Sequence, residues 1–354
     1  MVRYKKYLDT TVVEETPKRI AHIYDTFDSV AVMFSGGKDS LVALQHVRRE
    51  AEKRNRLPVD VIFLDEELLP DSLIDFVDLY RQKDWVRMHW IAVPMKNSAF
   101  VMGESKTIVT WGEDRKDSWI RSKPEWAITL PKGDKSVFMQ QSMDDFVAKT
   151  CGFKGKTAFI LGILASESLT RYRSVVNKLN ENYICASSYN QVKLCKPIYD
   201  WTATDIFKWL HDNNIEWCQQ YEQANITGGT LRISTPLHGE AAKKFDKWRG
   251  MDADFYQRLV DAFPEMTVQE RYWKDFDRKA IQRKYESQGM KGCLLYIKDK
   301  IKDKKKRKQA MERYREFNNL HKNYPDSYPS SLLLAHLVRG VTHRTIIPTR
   351  SKKA

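Results

Sequence analysis

The chain has 354 residues, 42% hydrophobic and 12% aromatic, enough for a real core and against global disorder. No run of about 18 apolar residues occurs and Met1 to Lys5 open no apolar leader, so neither a membrane span nor a secretory signal is expected and a cytoplasmic protein is. The formal net charge of +14 is uneven: Lys291 to Ala354 holds 17 Lys/Arg against 5 Asp/Glu and carries +12 of it, so a polyanion partner is to be sought there.

In chain order, a helix is expected over Glu14 to Phe27, ahead of a continuous apolar run at Val30 to Phe34 that suits a strand buried on both faces. Helical periodicity runs from Asp39 to Arg54, a second strand from Val59 to Leu64, a helix from Asp71 to Gln82 and a third strand from Val86 to Val93. Met95 to Gln140 is irregular and reads as a long insertion or lid, in which Trp111, Trp119 and Trp126 need something to pack on. Alternation resumes with a helix near Met143 to Thr150, a strand at Thr157 to Leu161, a helix at Glu167 to Leu179, a strand at Gln191 to Cys195 and a helix at Thr204 to His211. Such alternation predicts an α/β fold with a doubly wound parallel sheet. Past Asn214 the pattern is mainly helical. The expected organisation is a nucleotide-binding domain over 1–214 with the insertion at 95–140, a helical extension over 215–290 and a basic segment over 291–354. The cysteines at 151, 185, 195, 218 and 293 are never spaced C-x-x-C and read as free thiols rather than a disulfide scaffold or zinc site.

The first strand-to-helix junction carries "SGGKDS", Ser35 to Ser40. A turn at the carboxyl end of a first parallel strand is where open α/β sheets bind ligands. Glycines admit an anion close to the backbone, the helix start offers unpaired N–H groups, and Ser35, Ser40 and Lys38 add donors and charge. The string is a phosphate cradle, but not a Walker A loop, because Val32 and Asp39 stand where that pattern needs Gly and Ser/Thr.

"SGGKDS" resembles the pyrophosphate loop of the PP-loop ATP pyrophosphatases, which cleave ATP between the α and β phosphates while an acceptor oxygen attacks the α-phosphate. Three further stretches are similar to the phosphoadenylylsulfate (PAPS) reductase-like branch, which includes the small subunit of sulfate adenylyltransferase: "VIFLDEELLPDSLIDFV", "LGILASESLTRYR" and "KPIYDWTATDIFKWL". The likeness covers about Glu14 to His211. It implies ATP and Mg²⁺ as cofactors, with Ser35, Gly36, Gly37, Lys38 and Ser40 on the β and γ phosphates and Asp39 helping to hold the metal. It implies Asp65 beside the nucleotide with Glu66 and Glu67 nearby, Gly162 passing close to the nucleotide, and Glu167 and Arg171 facing the substrate end.

Two departures from that branch stand out. Leu164 occupies the position of an arginine that would hold an anionic substrate group, and leucine cannot. The chain has no terminal Glu-Cys-Gly-x-His segment; its last cysteine is Cys293 in "MKGCLLY". Reductase chemistry therefore lacks its expected nucleophile. The reading favoured is an ATP-dependent enzyme that adenylylates an acceptor, in sulfur transfer or nucleic-acid modification. The alternatives are sulfate activation with a partner subunit, and a regulator or DNA-binding protein that senses nucleotide without turnover. "KDKIKDKKKRKQAMERYREF", Lys298 to Phe317, is expected to be one lysine-rich helix able to meet a nucleic-acid backbone. His238 and Glu240 lie in a turn and receive no role.

Overall fold

The computed structural model describes residues 8–102, 104–139, 142–175, 181–229, 235–239, 241–273, 278–340, 346 and 348–349. Leu179, Glu240 and the final residues of the basic segment lie outside them. The chain divides into two compact units, one formed by residues 1–100 and 105–264 and the other by 101–104 and 265–354. That division does not fall at either boundary, 214 or 290, expected from the sequence.

The first unit is built on a six-stranded sheet in the order β3-β2-β1-β7-β9-β8. β1 (Ser29–Met33), β2 (Val59–Leu64), β3 (Val86–Ile91), β7 (Thr157–Leu161) and β9 (Val192–Cys195) run parallel, and β8 (Ile184–Ala186) closes the edge antiparallel to β9. β1 pairs β2 on one side (Val32 with Val61) and β7 on the other (Val32 with Ile160). The chain therefore reverses its direction of winding at β1, and the carboxyl ends of β1 and β7 form the crevice where ligands bind in such sheets.

Alternate residues of each strand feed two cores. Val30, Val32, Phe34, Val61 and Phe63 pack with α1 (Val12–Thr26), α2 (Lys38–Lys53), α3 (Asp71–Arg81) and α6 (Ala203–Asp212). Ala31, Ile62, Ile91 and Phe159 pack with α4 (Asp144–Thr150) and with Ile128, Leu130 and Phe138 of the insertion. Burial on both faces is what the continuous apolar runs require. α1 and α6 each begin at a threonine that caps the N–H three residues on, Thr11 to Glu14 and Thr202 to Asp205, each answered by that acid's side chain.

The insertion is more regular than its sequence suggests. It contains β4 (Met95–Val101) and β5 (Glu104–Thr110), a 3₁₀ turn at Glu113–Ser118 and a short β6 (Phe138–Met139), with sheet order β5-β4-β6. The helix expected over Glu167 to Leu179 is a 3₁₀ turn at Ala165–Glu167 followed by α5 (Leu169–Val175), with 176–179 outside the described residues. Beyond α6 the first unit continues through α7 (Gln220–Thr227), α8 (Trp248–Met251) and α9 (Ala253–Ala262). Arg258 ties α9 back to Asp71 of α3 at 2.7 Å and to the Ile120 carbonyl at 3.2 Å, so this stretch is integral to the α/β unit.

In the second unit the helices Arg278–Glu286, Gly289–Lys300, Lys304–Asn323 and Ser330–Val338 surround a core that includes Tyr285, Cys293, Ile297, Phe317 and Leu334. The single helix expected over Lys298 to Phe317 is broken at Ile301. Asp303 accepts the Lys306 N–H at 2.7 Å and starts a new helix. Among the described residues no helix is long and apolar enough to cross a membrane.

Candidate functional site

The loop between β1 and α2 is braced by its own side chains. Ser40 Oγ donates to the Gly37 carbonyl at 2.9 Å and accepts the Ser35 N–H at 3.3 Å. Gly36 has φ +73°, and a Cβ there would lie 2.4 Å from Leu73 Cδ1, so both the backbone and α3 demand glycine. Lys38 Nζ donates to both Asp39 carboxylate oxygens, at 2.7 and 2.9 Å, and sits 5.8 Å from the Phe207 ring centre.

A cavity of about 580 Å³ opens beside this loop, over the carboxyl ends of β1, β2 and β7. Ser35, Gly37, Asp39, Ser40 and Gly162 line it; Gly36 and Lys38 do not. Gly36 is turned to α3 and buried Lys38 to Asp39 and Phe207, so of the six loop residues four face the cavity. Gly162, expected to pass close to the nucleotide, lines the cavity and presses on the polypeptide beside it: a Cβ there would meet Ser40 N at 2.3 Å and the Asp39 carbonyl carbon at 2.5 Å. The end of β7 can press against the first turn of α2 only without a side chain.

The acids after β2 separate into different roles. Asp65 has no solvent exposure and does not line the cavity. Its carboxylate accepts from the Trp90 indole at 2.8 Å and the Glu67 N–H at 3.0 Å and is ion-paired with Arg121, while its carbonyl accepts from the Trp111 indole at 2.7 Å. Glu67, also fully buried, accepts from the Trp111 N–H at 2.7 Å and from Arg115. Burial pushes its carboxyl above the usual range even against those partners. Asp65, expected beside the nucleotide, stands behind the cavity wall: Asp65 and Glu67 pin the insertion, and Trp111 finds its packing partner there. Glu66 alone of the three lines the cavity, its carboxyl pushed up to about 7 by burial and by neighbouring Asp65.

Glu167 and Arg171 are ion-paired with each other and both line the cavity, as an i,i+4 pair aimed inward rather than at bulk solvent. Leu164 is 1% exposed and belongs to the hydrophobic core, so its position supplies no polar group to the cavity.

Several lining residues carry no local sequence signal. Tyr221 of α7 accepts the Lys38 N–H at 3.0 Å; Lys96 and Ser98 come from β4, and Thr235 and His238 from the loop after α7. They lie about 60 to 200 residues from the phosphate cradle in sequence, and a turn of the tertiary fold brings them to it. Among the described residues no cluster of three or more His, Cys, Asp or Glu is placed to hold a metal by itself. Asp39 is a single carboxylate on the cavity wall with both oxygens accepting from Lys38 Nζ, and Mg²⁺ is commonly held by one or two carboxylates together with substrate phosphates.

Against this geometry the sequence profile of the phosphoadenosine phosphosulfate reductase domain matches residues 29–293, about three quarters of the chain. The chain belongs to this family. Within the PAPS reductase domain family, the match runs past His211, where recognisable motifs end, and so takes in Tyr221 and His238 of the cavity wall. The uncharacterized protein YbdN of Escherichia coli strain K12 is 27% identical over 275 residues, which span 71% of this chain and 66% of that protein. Among solved structures the chain is similar to PAPS reductase from Candida auris in a phosphate complex, at 14% identity over 64% of this chain and 90% of that one, with a TM-score of 0.37. It is also similar to Candida glabrata FMN adenylyltransferase with FAD and inorganic pyrophosphate, at 11% identity over 65% and 66% of the two chains and a TM-score of 0.40. The U34-tRNA thiolase NcsA from Methanococcus maripaludis matches at 12% identity over 74% and 82%, with a TM-score of 0.35.

The five cysteines of this family member are free, three of them buried. Cys293 has no exposure, its thiol donates to the Ser330 carbonyl at 3.4 Å, and burial pushes its pKa up to about 12. A nucleophilic thiolate needs the opposite surroundings.

Proposed function

We propose that the chain binds ATP with its phosphates on the Ser35–Ser40 loop and cleaves it between the α and β phosphates, transferring AMP to an acceptor. The single observation that carries this reading is the SGGKDS loop at the winding reversal of a parallel sheet, with Ser35, Gly37, Asp39 and Ser40 facing one cavity. The apolar strand ends, Met33, Phe34 and Phe63 among them, offer the base and ribose a wall. The start of α2 presents backbone N–H groups and its positive dipole end to the β and γ phosphates. Asp39 would hold Mg²⁺, which when bound neutralises phosphate charge and eases departure of pyrophosphate.

An acceptor oxygen attacks the α-phosphorus, the bond from that phosphorus to the α–β bridging oxygen breaks, and pyrophosphate leaves onto the loop. Glu167 and Arg171 line the acceptor end, where the guanidinium offers charge to the α-phosphate and the carboxylate accepts a hydrogen bond from the acceptor. Buried Leu164 argues against a free oxyanion held as in sulfate activation, so the acceptor proposed is a larger partner, a nucleic acid or a sulfur-transfer protein. Calorimetric titration with ATP and Mg²⁺ tests the binding half. Micromolar affinity lost in Asp39→Ala and Lys38→Ala supports it, and unchanged affinity in both variants ends it.

The basic helix favours nucleic acid as the partner. Lys302, Lys304, Lys305, Lys306 and Lys308 are all exposed around the start of Lys304–Asn323, spread over two turns. Their side chains suit sequence-independent contacts to phosphates.

A further inference from the structure

We propose that Tyr221 is a phosphate-binding residue, its hydroxyl donating to a non-bridging oxygen of the β- or γ-phosphate. This deepens the nucleotide reading above and rests on it.

The first N–H groups of a helix have no partner within it. α2 begins after Gly37, which has no side chain to cap with, and the oxygen that meets the Lys38 N–H comes instead from Tyr221 at 3.0 Å. Among the described residues this is the hydroxyl's one hydrogen bond, and it is made as acceptor. A phenol has a proton to give as well. Tyr221 lines the cavity beside Ser35, Gly37, Asp39 and Ser40, so the donor stands where the loop would receive phosphate.

The loop's own hydroxyls are differently placed. Ser40 Oγ already donates to the Gly37 carbonyl at 2.9 Å, and Ser35 Oγ lies 3.2 Å from Ser40 Oγ. Tyr221 therefore supplies a donor that the motif has committed elsewhere. Its position is fixed: the side chain is 5% exposed and its ring meets Phe207 edge-on, centres 5.9 Å apart at 86°. A Cβ on Gly37 would stand 3.2 Å from both the Tyr221 and the Ser35 hydroxyl oxygens, so the second glycine of the loop leaves room for this approach. Burial raises the phenol's pKa, which keeps the proton on the oxygen.

The test is calorimetric titration of full-length wild type and Tyr221→Phe with inorganic pyrophosphate, ATP and AMP. A hydrogen bond to a charged group predicts a loss of about tenfold or more for pyrophosphate and ATP with AMP unchanged. Should Tyr221→Phe not fold, Tyr221→3-fluorotyrosine keeps the ring and makes it a stronger donor, and tighter pyrophosphate binding is expected. Equal pyrophosphate affinity in wild type and variant overturns the proposal. So does tighter binding by Tyr221→Phe, which would make the hydroxyl a placeholder that phosphate displaces, and so does an equal loss for AMP. A wild type that binds none of the three ligands refutes the nucleotide reading itself.

Discussion

Arg121 is ion-paired with Asp65, a carboxylate that no solvent reaches, and the pair fastens the 95–139 insertion to the end of β2. With Arg121 removed the buried carboxylate keeps the Trp90 indole and the Glu67 N–H but loses its countercharge. Arg121→Ala is therefore expected to lose about 3–5 kcal/mol of unfolding free energy. Lys208→Ala, which breaks an exposed pair with Asp212, should lose at most about 0.5 kcal/mol. Urea denaturation followed by tryptophan fluorescence compares them, and similar small losses would show that the insertion is not anchored there.

Gly162 tests how closely β7 and the phosphate loop must approach. A methyl group 2.3 Å from Ser40 N has only backbone to displace. Gly162→Ala should cost about 1–3 kcal/mol of stability and weaken ATP binding with it. Gly250→Ala, whose nearest neighbour would be Thr227 Cγ2 at 3.7 Å, should do neither. Thermal melts and calorimetry on both variants check the contrast, and an unaltered Gly162→Ala would contradict it.

The raised carboxyl of Glu66 gives a pH dependence with a definite sign. Its folded pKa of about 7 exceeds the ordinary carboxylate value, so the folded state binds the extra proton. Its contribution to stability is fully present below the unfolded pKa of about 4.3 and is lost as pH rises through about 7. Glu66→Gln, which resembles the protonated form, should be near neutral at pH 4 and stabilise by on the order of 1–3 kcal/mol at pH 8. Denaturation curves at the two pH values decide it; a variant destabilised equally at both would show that Glu66 is charged and paired in the fold.

If the basic helix meets nucleic acid, replacing Lys304, Lys305, Lys306 and Lys308 by glutamine in the full-length chain should weaken binding to DNA and RNA alike. The slope of log K against log salt should fall by about 0.9 for each phosphate of duplex DNA that is no longer neutralised. ATP affinity should not change, because the cavity is lined entirely by residues between Met33 and His238. Fluorescence anisotropy across a salt series measures this. Equal slopes for the two proteins would make the lysines solvated surface only.

The parallel sheet is legible in the sequence because Val30 to Phe34, Val61 to Leu64 and Ala158 to Leu161 are continuous apolar runs, and burial on both faces satisfies such runs. The strands of the insertion are not legible, since β5 is largely exposed and its residues, Glu-Ser-Lys-Thr, carry no apolar alternation. The cradle announces itself because its chemistry is local to six residues. Its wall does not: Tyr221, Lys96 and His238 reach it through tertiary folding and have no motif of their own. Asp65 shows the same limit from the other side. An acid ending a strand reads as a cavity residue until Trp90, Trp111 and Arg121 are seen closing over it.

Separation of the nucleotide products is the most direct test of the central claim. Purified protein incubated with ATP, Mg²⁺ and, in parallel, sulfate, DNA or tRNA is expected to yield pyrophosphate together with AMP or an adenylylated acceptor, because in the proposed reaction the loop would hold the β and γ phosphates as the leaving group. Asp39→Ala, which removes the carboxylate of the loop that lines the cavity, should abolish both products. ADP and inorganic phosphate as the main products would contradict cleavage between the α and β phosphates.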